Sequence, residues 1–579
     1  MIFSQHYLAC LSHASYLIGD ETTGRAVVVD PRRDIGVYLE EADEKGLRIE
    51  RVIETHLHAD FLSGHLELAA ATGAVISFGE AAHVDFPIEP LGHGQRLELG
   101  DVWLEIRATP GHTPESICVV VHERSDDSAP YGVLTGDTLF VGDVGRPDLL
   151  ASSAAGLDAQ TLGGLLYQSL HEQLLSLPDE TRVFPAHGAG SSCGKQLSSE
   201  TSSTIGEQRR LNYALQPMSR EQFVAAVTEG QPVQPHYFNF DARRNRQHHR
   251  LLDETVTPPS MSLAEILAAV TAGAVPLDTR EPADFAAGHL SGAVNVGLQG
   301  RFAEWAGDVL GPDCEIVLVG DPASALESRV RLARIGFDKV VGYLADPHEL
   351  FLGRSDLVEP SSRVTIEQLA ELLGIVPNLQ LVDVRNPGET ALGTLVGARL
   401  VPLPRLVDAF GELDRNSPVV VSCATGYRSM IAASMLRHVG FEDVSDLIGG
   451  YGAWSSAGLP VARDGTTPER VAEVTPAAAA DLVRAGAPLI DVREEEEWSA
   501  GHVPDAVLIP MSQVEARMGE LPTGEPAVIV CRSGGRSNTI VQLLASFGVK
   551  AVNLAGGMRA WEAAGLPVVA DGDGPGRVI

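Results

Sequence analysis

Residues 55–65 read Thr-His-Leu-His-Ala-Asp-Phe-Leu-Ser-Gly-His. They follow an apolar, β-branched run that predicts a strand, and residues 62–72 predict a short helix that ends at Gly73. A loop between a strand and a helix is a rigid place to mount metal ligands, although the same pattern also fits a merely polar loop. The potential ligands, at every second position, are His56, His58 and Asp60.

Three later loops each place one more histidine or aspartate directly after an apolar run that predicts a strand. They are residues 109–114 (Thr-Pro-Gly-His-Thr-Pro) with His112, residues 134–138 (Leu-Thr-Gly-Asp-Thr) with Asp137, and residues 184–188 (Phe-Pro-Ala-His-Gly) with His187. A single residue of this kind at a strand end is usually structural. Four such loops in this order predict one metal centre built from imidazole and carboxylate ligands.

These loops resemble the metallo-β-lactamase superfamily, whose fold is an αββα sandwich with metal ligands on loops along one edge. Within it, the chain resembles the persulfide dioxygenases more than the dizinc hydrolases. The dinuclear members need His-x-His-x-Asp-His, and here Asp60 is followed by Phe61, whose ring cannot coordinate a metal. The run Gly-Arg-Pro-Asp at 145–148 also resembles the dioxygenase branch, and its Arg146 is a candidate for substrate binding.

The resemblance implies one Fe(II) per chain, held by two histidines and one carboxylate with the opposite face open; zinc is the alternative metal. The implied ligands are His56, His112 and Asp137. The implied residues around them, which orient ligands or water or are alternative ligands themselves, are His58, Asp60 and His187. Cys193, in Gly-Ser-Ser-Cys-Gly at 190–194, is a further candidate for contact with substrate in the iron pocket.

Composition restricts the classes of partner and the compartment. A length of 579 residues predicts about four domains. The net charge of −34 argues against binding to nucleic acid or to an anionic membrane surface. The chain begins without a basic leader and has no run of about 18 apolar residues, so we expect no membrane segment and a cytoplasmic location. Six cysteines without paired spacing suit free thiols in a reducing compartment.

The second half of the chain repeats itself. Residues 277–280 (Leu-Asp-Thr-Arg), 382–385 (Val-Asp-Val-Arg) and 490–493 (Ile-Asp-Val-Arg) recur 105 and 108 residues apart. A Gly-Gly pair followed by an Ala-Trp pair recurs at 449–454 and 556–561, 107 residues apart. A period of this length is too long for a solenoid and predicts three copies of a small α/β domain.

Two of the copies carry a cysteine loop between an apolar strand and a helix. The loops read Cys-Ala-Thr-Gly-Tyr-Arg-Ser at 423–429 and Cys-Arg-Ser-Gly-Gly-Arg-Ser at 531–537. Backbone N–H groups and the helix dipole would stabilise a thiolate at Cys423 and Cys531. The arginine five residues on, Arg428 or Arg536, would hold an anionic donor or acceptor. The first copy has Gly-Asp-Pro-Ala-Ser at 320–324, without cysteine or arginine, and is predicted to be noncatalytic.

The three copies resemble rhodanese (thiosulfate sulfurtransferase) domains, in which helices wrap a parallel sheet. The resemblance implies that Cys423 and Cys531 accept a sulfane sulfur as a persulfide and pass it to a nucleophile. The predicted fold is therefore an αββα metallo-β-lactamase sandwich followed by three rhodanese-like α/β domains. The predicted domains are 1–255 (dioxygenase with connecting helices), 260–355 (rhodanese-like, without the cysteine), 362–463 (with Cys423) and 470–572 (with Cys531).

Together, the two resemblances imply a fused enzyme for sulfide detoxification. It would oxidise a low-molecular-weight thiol persulfide of the glutathione type with O2 to sulfite and thiol, and transfer sulfur among persulfide, sulfite and thiosulfate. Family resemblance also allows a homo-oligomer. Two alternatives stay open: a zinc-dependent thioester hydrolase of the glyoxalase II type with sulfurtransferase domains, and a noncatalytic sulfur-relay protein. The basic residues 243–250 suit either a connector docked on an acidic neighbour or an anion-attracting rim.

Overall fold

The computed structural model describes two compact units. One comprises residues 1–279 and 298–350, and the other comprises residues 280–297 and 351–579. The described residues are the whole chain except 125, 128, 150–156, 196, 346, 348–352, 463–472, 515–516, 518–525, 547–548 and 571–575. The domain boundaries predicted at 463, 470 and 572 therefore lie outside the described residues.

Two six-stranded sheets form the N-terminal part of the first unit, with strand orders β1-β2-β3-β4-β5-β6 and β12-β11-β10-β9-β8-β7. The strands are β1 (Ile2–Leu8), β2 (His13–Gly19), β3 (Arg25–Val29), β4 (Arg48–Ile53), β5 (Val75–Gly79), β6 (Glu89–Leu91), β7 (Arg96–Glu98), β8 (Trp103–Ala108), β9 (Ile117–His122), β10 (Gly132–Gly136), β11 (Arg182–Pro185) and β12 (Ser203–Thr204). Ile18 and Val27 of the first sheet share a core with Leu104 and Val119 of the second. The two sheets therefore pack face to face.

Helices cover the outer faces of both sheets. Tyr38 and Leu68 pack with Val28 on the first sheet, and Leu166 and Phe223 pack on the second. Each fully buried side chain of this size stabilises the fold by about 1.5–3 kcal/mol. The helices of this part are α1 (Gly36–Glu44), α2 (His65–Thr72), α3 (Ala159–Ser169), continued by a π-helical turn (Leu170–Leu174), α4 (Ile205–Leu211), a 3₁₀ turn (Tyr213–Leu215), α5 (Arg220–Thr228) and α6 (Phe238–Arg244). The layers are αββα, as predicted.

The helix after the His-x-His-x-Asp loop begins at His65, and the prediction that it begins at residue 62 is wrong. Gly64 lies in a close approach of two chain segments: its N–H donates to Pro31 O at 2.9 Å. A Cβ at this position would lie 2.2 Å from Arg32 O. The preceding residues therefore stay in a tight loop against residues 31–32 before the first helical turn can form.

A smaller α/β region completes the first unit. Its strands β13 (Val275–Asp278), β16 (Ile316–Val319) and β17 (Val340–Leu344) are parallel neighbours. Its helices are α7 (Leu263–Thr271), α9 (Phe302–Val309) and α10 (Pro322–Ala333). This region holds the metal-loop segment directly, because Leu62 N donates to Arg334 O at 2.7 Å.

Arg33 ties the sandwich to this smaller region inside the first unit. The guanidinium is 1% exposed and bonds Glu67 Oε1 at 3.0 Å and Asp338 Oδ1 at 2.6 Å. It also donates to the carbonyl oxygens of Ala333 and Arg250. Such a cation is stable in the interior only because every side of it meets an acceptor.

The second unit contains two five-stranded parallel sheets with orders β19-β24-β23-β20-β22 and β26-β30-β29-β27-β28. Its strands are β14 (His289–Leu290), β15 (Val294–Asn295), β18 (Val358–Glu359), β19 (Ser362–Val364), β20 (Gln380–Asp383), β21 (Thr394–Leu395), β22 (Arg399–Leu400), β23 (Val419–Ser422), β24 (Val444–Leu447), β25 (Val461–Ala462), β26 (Glu473–Val474), β27 (Leu489–Asp491), β28 (Val507–Leu508), β29 (Ala527–Val530) and β30 (Ala551–Leu554). The two sheets have the same order of corresponding strands, as the sequence repeat requires.

Helices of the second unit follow the same repeat. They are α8 (Pro282–Ala287), α11 (Ile366–Ile375), α12 (Pro387–Thr390), α13 (Tyr427–His438), α14 (Gly450–Ser456), α15 (Pro476–Arg484), α16 (Glu495–Ala500), α17 (Gly535–Ser546) and α18 (Gly557–Ala563), with 3₁₀ turns at Ser355–Leu357, Leu403–Arg405, Asp408–Glu412 and Met511–Gln513. Among the described residues, no helix is long and apolar enough to cross a membrane.

Replacing Arg33 by Met should destabilise the first unit strongly, because Glu67 would stay buried without its cation. Removing one partner of a buried ion pair costs about 3–5 kcal/mol. Pulsed hydrogen exchange of peptides that cover α2, recorded along a urea series, measures the loss. Arg25→Met is the matched control: its pair with Glu50 is much more exposed and should cost at most about 1 kcal/mol. Equal losses in the two variants would contradict the role given to Arg33.

Candidate functional sites

Three ligand atoms from three loops converge at one edge of the sandwich. His56 follows β4, His112 lies between β8 and β9, and Asp137 follows β10. One ligand atom from each lies within 4.8 Å of the others. His56 Nε2 is 3.8 Å and His112 Nε2 is 3.5 Å from Asp137 Oδ2. The structure thus brings together the three residues predicted to hold the metal.

Hydrogen bonds on the far side of each ring turn Nε2 towards the centre. His112 Nδ1 donates to Arg146 O at 2.9 Å, and His56 Nδ1 lies 3.0 Å from Thr55 Oγ1. His56 Nε2 and Asp137 Oδ2 are buried and have no hydrogen-bond partner among the described residues. Burial and the charge of His58 lower the pKa of His56 well below its usual value. A neutral imidazole beside an unpaired carboxylate oxygen is the form that binds a divalent cation.

His187 holds the other oxygen of Asp137. Its Nδ1 lies 2.7 Å from Asp137 Oδ1, and its Nε2 lies 2.8 Å from Asp60 Oδ2. Burial lowers the pKa of His187, but the two carboxylates outweigh burial and raise that pKa well above its usual value. Burial raises the pKa of Asp137, and the charge of His187 outweighs it and holds that pKa below its usual range. The charged imidazole therefore fixes Asp137 as an ionised, oriented carboxylate.

His58 belongs to a separate buried group. Its Nε2 lies 3.2 Å from Asp30 Oδ1 and 3.3 Å from Glu54 Oε2. Burial lowers the pKa of His58, but the two carboxylates raise it to about 10. These three side chains also have the types and spacing of metal ligands, although a charged imidazole between two carboxylates already accounts for them. Asp30 and Glu54 directly follow apolar strands, and no motif in the sequence distinguishes them from other acidic residues.

The two cysteine loops have nearly the same geometry. Cys423 and Cys531 are each 1% exposed. Cys423 Sγ accepts from Gly426 N at 3.2 Å, and Cys531 Sγ accepts from Gly534 N at 3.2 Å. The left-handed φ angles of these two glycines, 100° and 98°, let each N–H turn towards the sulfur. Each sulfur lies at the N-terminal end of the following helix, where a thiolate is stabilised.

Each loop arginine pairs with a glutamate that sequence reasoning missed. Arg428 bonds both oxygens of Glu389 at 2.6–2.7 Å, and Arg536 bonds both oxygens of Glu497 at 2.6–2.7 Å. The acidic run that contains Glu497 by itself predicts only the start of a helix. The usable signal is the repeat, because the two glutamates lie 108 residues apart and so hold corresponding positions.

The first copy replaces the cysteine loop with an ordinary helix cap. Asp321 accepts hydrogen bonds from the N–H groups of Ala323 and Ser324 at 2.9 and 3.0 Å, and α10 begins at Pro322. The capping carboxylate occupies the helix terminus that a thiolate would need. Cys314 lies before β16, and burial raises the pKa of its thiol to about 11.

Comparison with known proteins matches separate parts of the chain to two families. Residues 8–187 match the metallo-beta-lactamase superfamily, and residues 262–346, 365–457 and 475–564 match the rhodanese-like domain. Persulfide dioxygenase ETHE1, mitochondrial, from Bos taurus is 31% identical over 239 residues, 40% of this chain and 82% of that protein. The chain belongs to the persulfide dioxygenase family. The predicted fold class and both resemblances are confirmed.

Two further relatives show how far the similarity extends. A crystal structure of a metallo-beta-lactamase from Staphylococcus aureus subsp. aureus COL is 33% identical with a TM-score of 0.54, covering 59% of this chain and 98% of that one. A hydroxyacylglutathione hydrolase from Polaromonas sp. (strain JS666 / ATCC BAA-500) is 35% identical over 179 residues, 30% of this chain and 61% of that protein. In this chain, three matches to the rhodanese-like domain follow the match to the metallo-beta-lactamase superfamily.

Phe61 and Cys193 lie next to the residues that surround the three candidate ligands. The ring of Phe61 is fully buried, and its centroid is 4.1 Å from that of His13 and 4.4 Å from that of His58. Cys193 Sγ lies within 4.8 Å of ligand atoms of Asp60 and His187. Burial and the nearby carboxylates raise the pKa of the Cys193 thiol well above its usual value. The predicted proximity of Cys193 to the pocket is therefore present, while its contact with substrate stays a prediction.

Two residues outside the ligand loops stabilise this pocket through hydrogen bonds. Asn245, inside the basic stretch, donates to His58 O and Phe61 O at 2.8 Å each and accepts from Ser63 N. Arg146 is buried, bonds both oxygens of Asp148, and accepts the His112 bond with its own carbonyl. Both residues hold the metal loops in place; the predicted contact of Arg146 with substrate remains a prediction.

Proposed function

We propose that this chain oxidises a low-molecular-weight thiol persulfide of the glutathione type with O2 at one ferrous ion, releasing sulfite and thiol. The observation that carries the proposal is the buried convergence of His56, His112 and Asp137, in a chain whose His-x-His-x-Asp loop continues with Phe61 and not with a histidine. Two imidazoles and one carboxylate with an open face suit a mononuclear iron site. Bound there, ferrous iron would supply the redox chemistry that joins dioxygen to sulfur.

The proposed reaction balances without a further reductant. One persulfide RSSH, one O2 and one water give RSH, sulfite and two protons, so the terminal sulfur is oxidised and dioxygen is reduced. His187 lies between Asp60 and Asp137 and would orient the ligand carboxylate. His56, His112 and Asp137 are all buried, which would limit the access of bulk water to the reacting atoms.

The cysteine domains would then move a second sulfur. The Cys423 or Cys531 thiolate attacks the terminal sulfur of a persulfide, forms a cysteine persulfide and releases RS⁻. Sulfite attacks that outer sulfur, so the S–S bond to the cysteine breaks and thiosulfate leaves. Arg428 and Arg536, each oriented by a glutamate, lie in the same loops as the thiols and would hold the sulfite anion. Fusion with the dioxygenase raises the local concentration of sulfite.

Oxygen uptake together with metal analysis tests the oxidation. The Cys423→Ser/Cys531→Ser double variant purified with ferrous iron, which cannot pass sulfite on to thiosulfate, should hold one iron and consume one O2 per glutathione persulfide, with sulfite as the product. His112→Ala should lower both iron content and uptake by at least about tenfold, because one of three ligands is removed. His171→Ala, an exposed histidine of the same sandwich, should change neither.

The hydrolase alternative predicts a different metal and a different reaction for the same protein. Bound zinc, cleavage of a glutathione thioester and no consumption of O2 would overturn the dioxygenase proposal. A noncatalytic relay would show no uptake in either the wild type or the histidine variants.

Sulfur transfer is tested by the two cysteines, singly and together. Cys423→Ser with Cys531→Ser should abolish formation of thiosulfate from sulfite and glutathione persulfide, because serine cannot form a persulfide under these conditions. Cys118→Ser is the matched control, since this thiol is buried in the sandwich core. The rate of thiosulfate formation is measured by labelling the sulfur-containing products and separating thiosulfate from the others. Unchanged rates in the double variant would remove both loops from the pathway.

A further inference from the structure

A cavity of about 410 Å³ adjoins the Cys531 loop inside the second unit. Two residues of that loop, Arg532 and Arg536, lie in its walls, and Met511 in the same walls packs in the core that contains Cys531. Helix α11, from the copy that carries Cys423, forms another wall through Ile366, Glu367, Ala370 and Glu371. Two rhodanese-like domains therefore form the cavity together, and its volume suits a small molecule.

Glycines let helix α11 approach the start of α17, the helix that follows Cys531. A Cβ on Gly374 would overlap Gly535 Cα, and a Cβ on Gly535 would lie 2.5 Å from Ala370 O. The backbones of the two helices are thus in direct contact, which only residues without a side chain allow. This contact fixes the side chains of α11 beside the Cys531 loop.

Negative charge is in excess in the walls of this cavity. The charged lining residues are four glutamates and two arginines, namely Glu367, Glu371, Glu494, Glu497, Arg532 and Arg536. Arg536 donates to both oxygens of Glu497, and Arg532 Nη2 lies 3.5 Å from Glu371 Oε1. The other two carboxylates have no counterion among the lining residues. Because the Debye length is about 10 Å at 0.1 M salt, charges in the walls of so small a cavity act on a ligand inside it.

The Cys423 loop lacks the residues that bring this charge to Cys531. Ala424 takes the place of Arg532, and Tyr427 takes the place of Gly535. The Tyr427 hydroxyl donates to Gly297 O, so a side chain stands at the position where α11 makes backbone contact with Gly535. A helix cannot approach the Cys423 loop at this position as closely as α11 approaches the Cys531 loop. The acidic wall therefore distinguishes the two cysteine sites.

We propose that Cys531 passes its sulfur to a small aminothiol, a thiol that also carries an ammonium group, and that Glu367 and Glu371 select this acceptor. The inference rests on the proposed function, since it names an acceptor for one of the two persulfide-forming thiols. An ammonium group would compensate the excess negative charge of the walls, and Ile366 and Leu459 offer apolar contact for its methylene groups. The same charges act against anionic acceptors.

The transfer balances without another reagent. The aminothiol thiolate attacks the outer sulfur of the Cys531 persulfide, a new S–S bond forms, and the S–S bond to Cys531 breaks. The products are the persulfide of the aminothiol, which keeps the proton of the outer sulfur, and the Cys531 thiolate. Gly534 N, 3.2 Å from Cys531 Sγ, is placed to stabilise this leaving thiolate. The outer sulfur keeps its oxidation state, so no oxidant or reductant is consumed.

Single-turnover sulfur transfer in the full chain with Cys423→Ser tests the proposal. The chain is loaded with glutathione persulfide, freed of excess reagent and mixed with cysteamine, neutral 2-mercaptoethanol or anionic 3-mercaptopropionate. Mass spectrometry of the peptide that contains Cys531 follows the loss of its persulfide. Rates are expressed per thiolate and divided by the rates of the same thiols with glutathione persulfide in solution. On this scale cysteamine should exceed 3-mercaptopropionate by at least about tenfold.

Glutamine substitutions in the wall test the source of the selectivity. Glu367→Gln combined with Glu371→Gln should lower the ratio of cysteamine to 3-mercaptopropionate at least about threefold, because two partly solvated negative charges are removed. The rate with 2-mercaptoethanol should not change, which also shows that the loop is folded. Glu496→Gln is the matched control, since Glu496 is exposed in the same acidic run as Glu494 but lies outside the cavity walls. It should change neither the ratio nor the rate.

Two kinds of failure are distinguished by whether the Cys531 peptide gains a sulfur. A loaded peptide with no preference for cysteamine, or with a preference that the two glutamine substitutions leave unchanged, would overturn this proposal and leave sulfur transfer in place. A peptide that never loads would refute sulfur transfer at Cys531 and this proposal with it. If the double glutamine variant does not fold, the acceptor series in the chain with Cys423→Ser decides by itself.

Discussion

The two oxygens of the buried Asp137 carboxylate have different neighbours, and the metal site depends on this difference. Oδ1 is held by the charged His187, and Oδ2 faces the Nε2 atoms of His56 and His112. An ionised carboxylate without water costs several kcal/mol unless cations or donors surround it. The charged His187 offsets part of this free-energy cost at Oδ1, and a divalent cation bound to Oδ2 would offset the rest. The loops that carry His56, His112 and His187 supply the neighbours of this carboxylate.

The sequence could identify the candidate ligands because each follows a strand, and the strand ends meet at one edge of the sandwich. The family resemblance, not the spacing, separated His56, His112 and Asp137 from His58. It could also identify both cysteine loops, since a strand, a cysteine, an arginine and a helix are contiguous there. The partners Glu389, Glu497, Asp30 and Glu54 were not predictable in the same way. Each contributes through a contact formed by folding, and a lone acidic residue in a sequence is most often only solvated.

Helix boundaries were harder to predict from the sequence, for a physical reason. The segment after Asp60 is apolar with a helical period, yet Gly64 must pass close to residues 31–32, and this contact delays the helix to His65. Asn245 and Arg334, from distant segments, bind the same loop through the backbone. Backbone contacts of this kind leave no side-chain pattern to find.

The three related domains differ in the loops at the ends of β16, β23 and β29. Two keep a cysteine that accepts backbone N–H bonds and an arginine paired with a glutamate 39 residues earlier. The first instead caps its helix with Asp321 and contacts the sandwich through Arg334 and the residues that bind Arg33. A domain without its own nucleophile thus supports the loops of the metal site.

X-ray diffraction from crystals of the iron-loaded chain, collected on both sides of the iron absorption edge, tests the central claim most directly. We predict one iron peak per chain, about 2 Å from His56 Nε2, His112 Nε2 and Asp137 Oδ2, as expected for metal bonds to imidazole and carboxylate. Two metal peaks in this pocket, or a single peak held by His58 in place of Asp137, would contradict it.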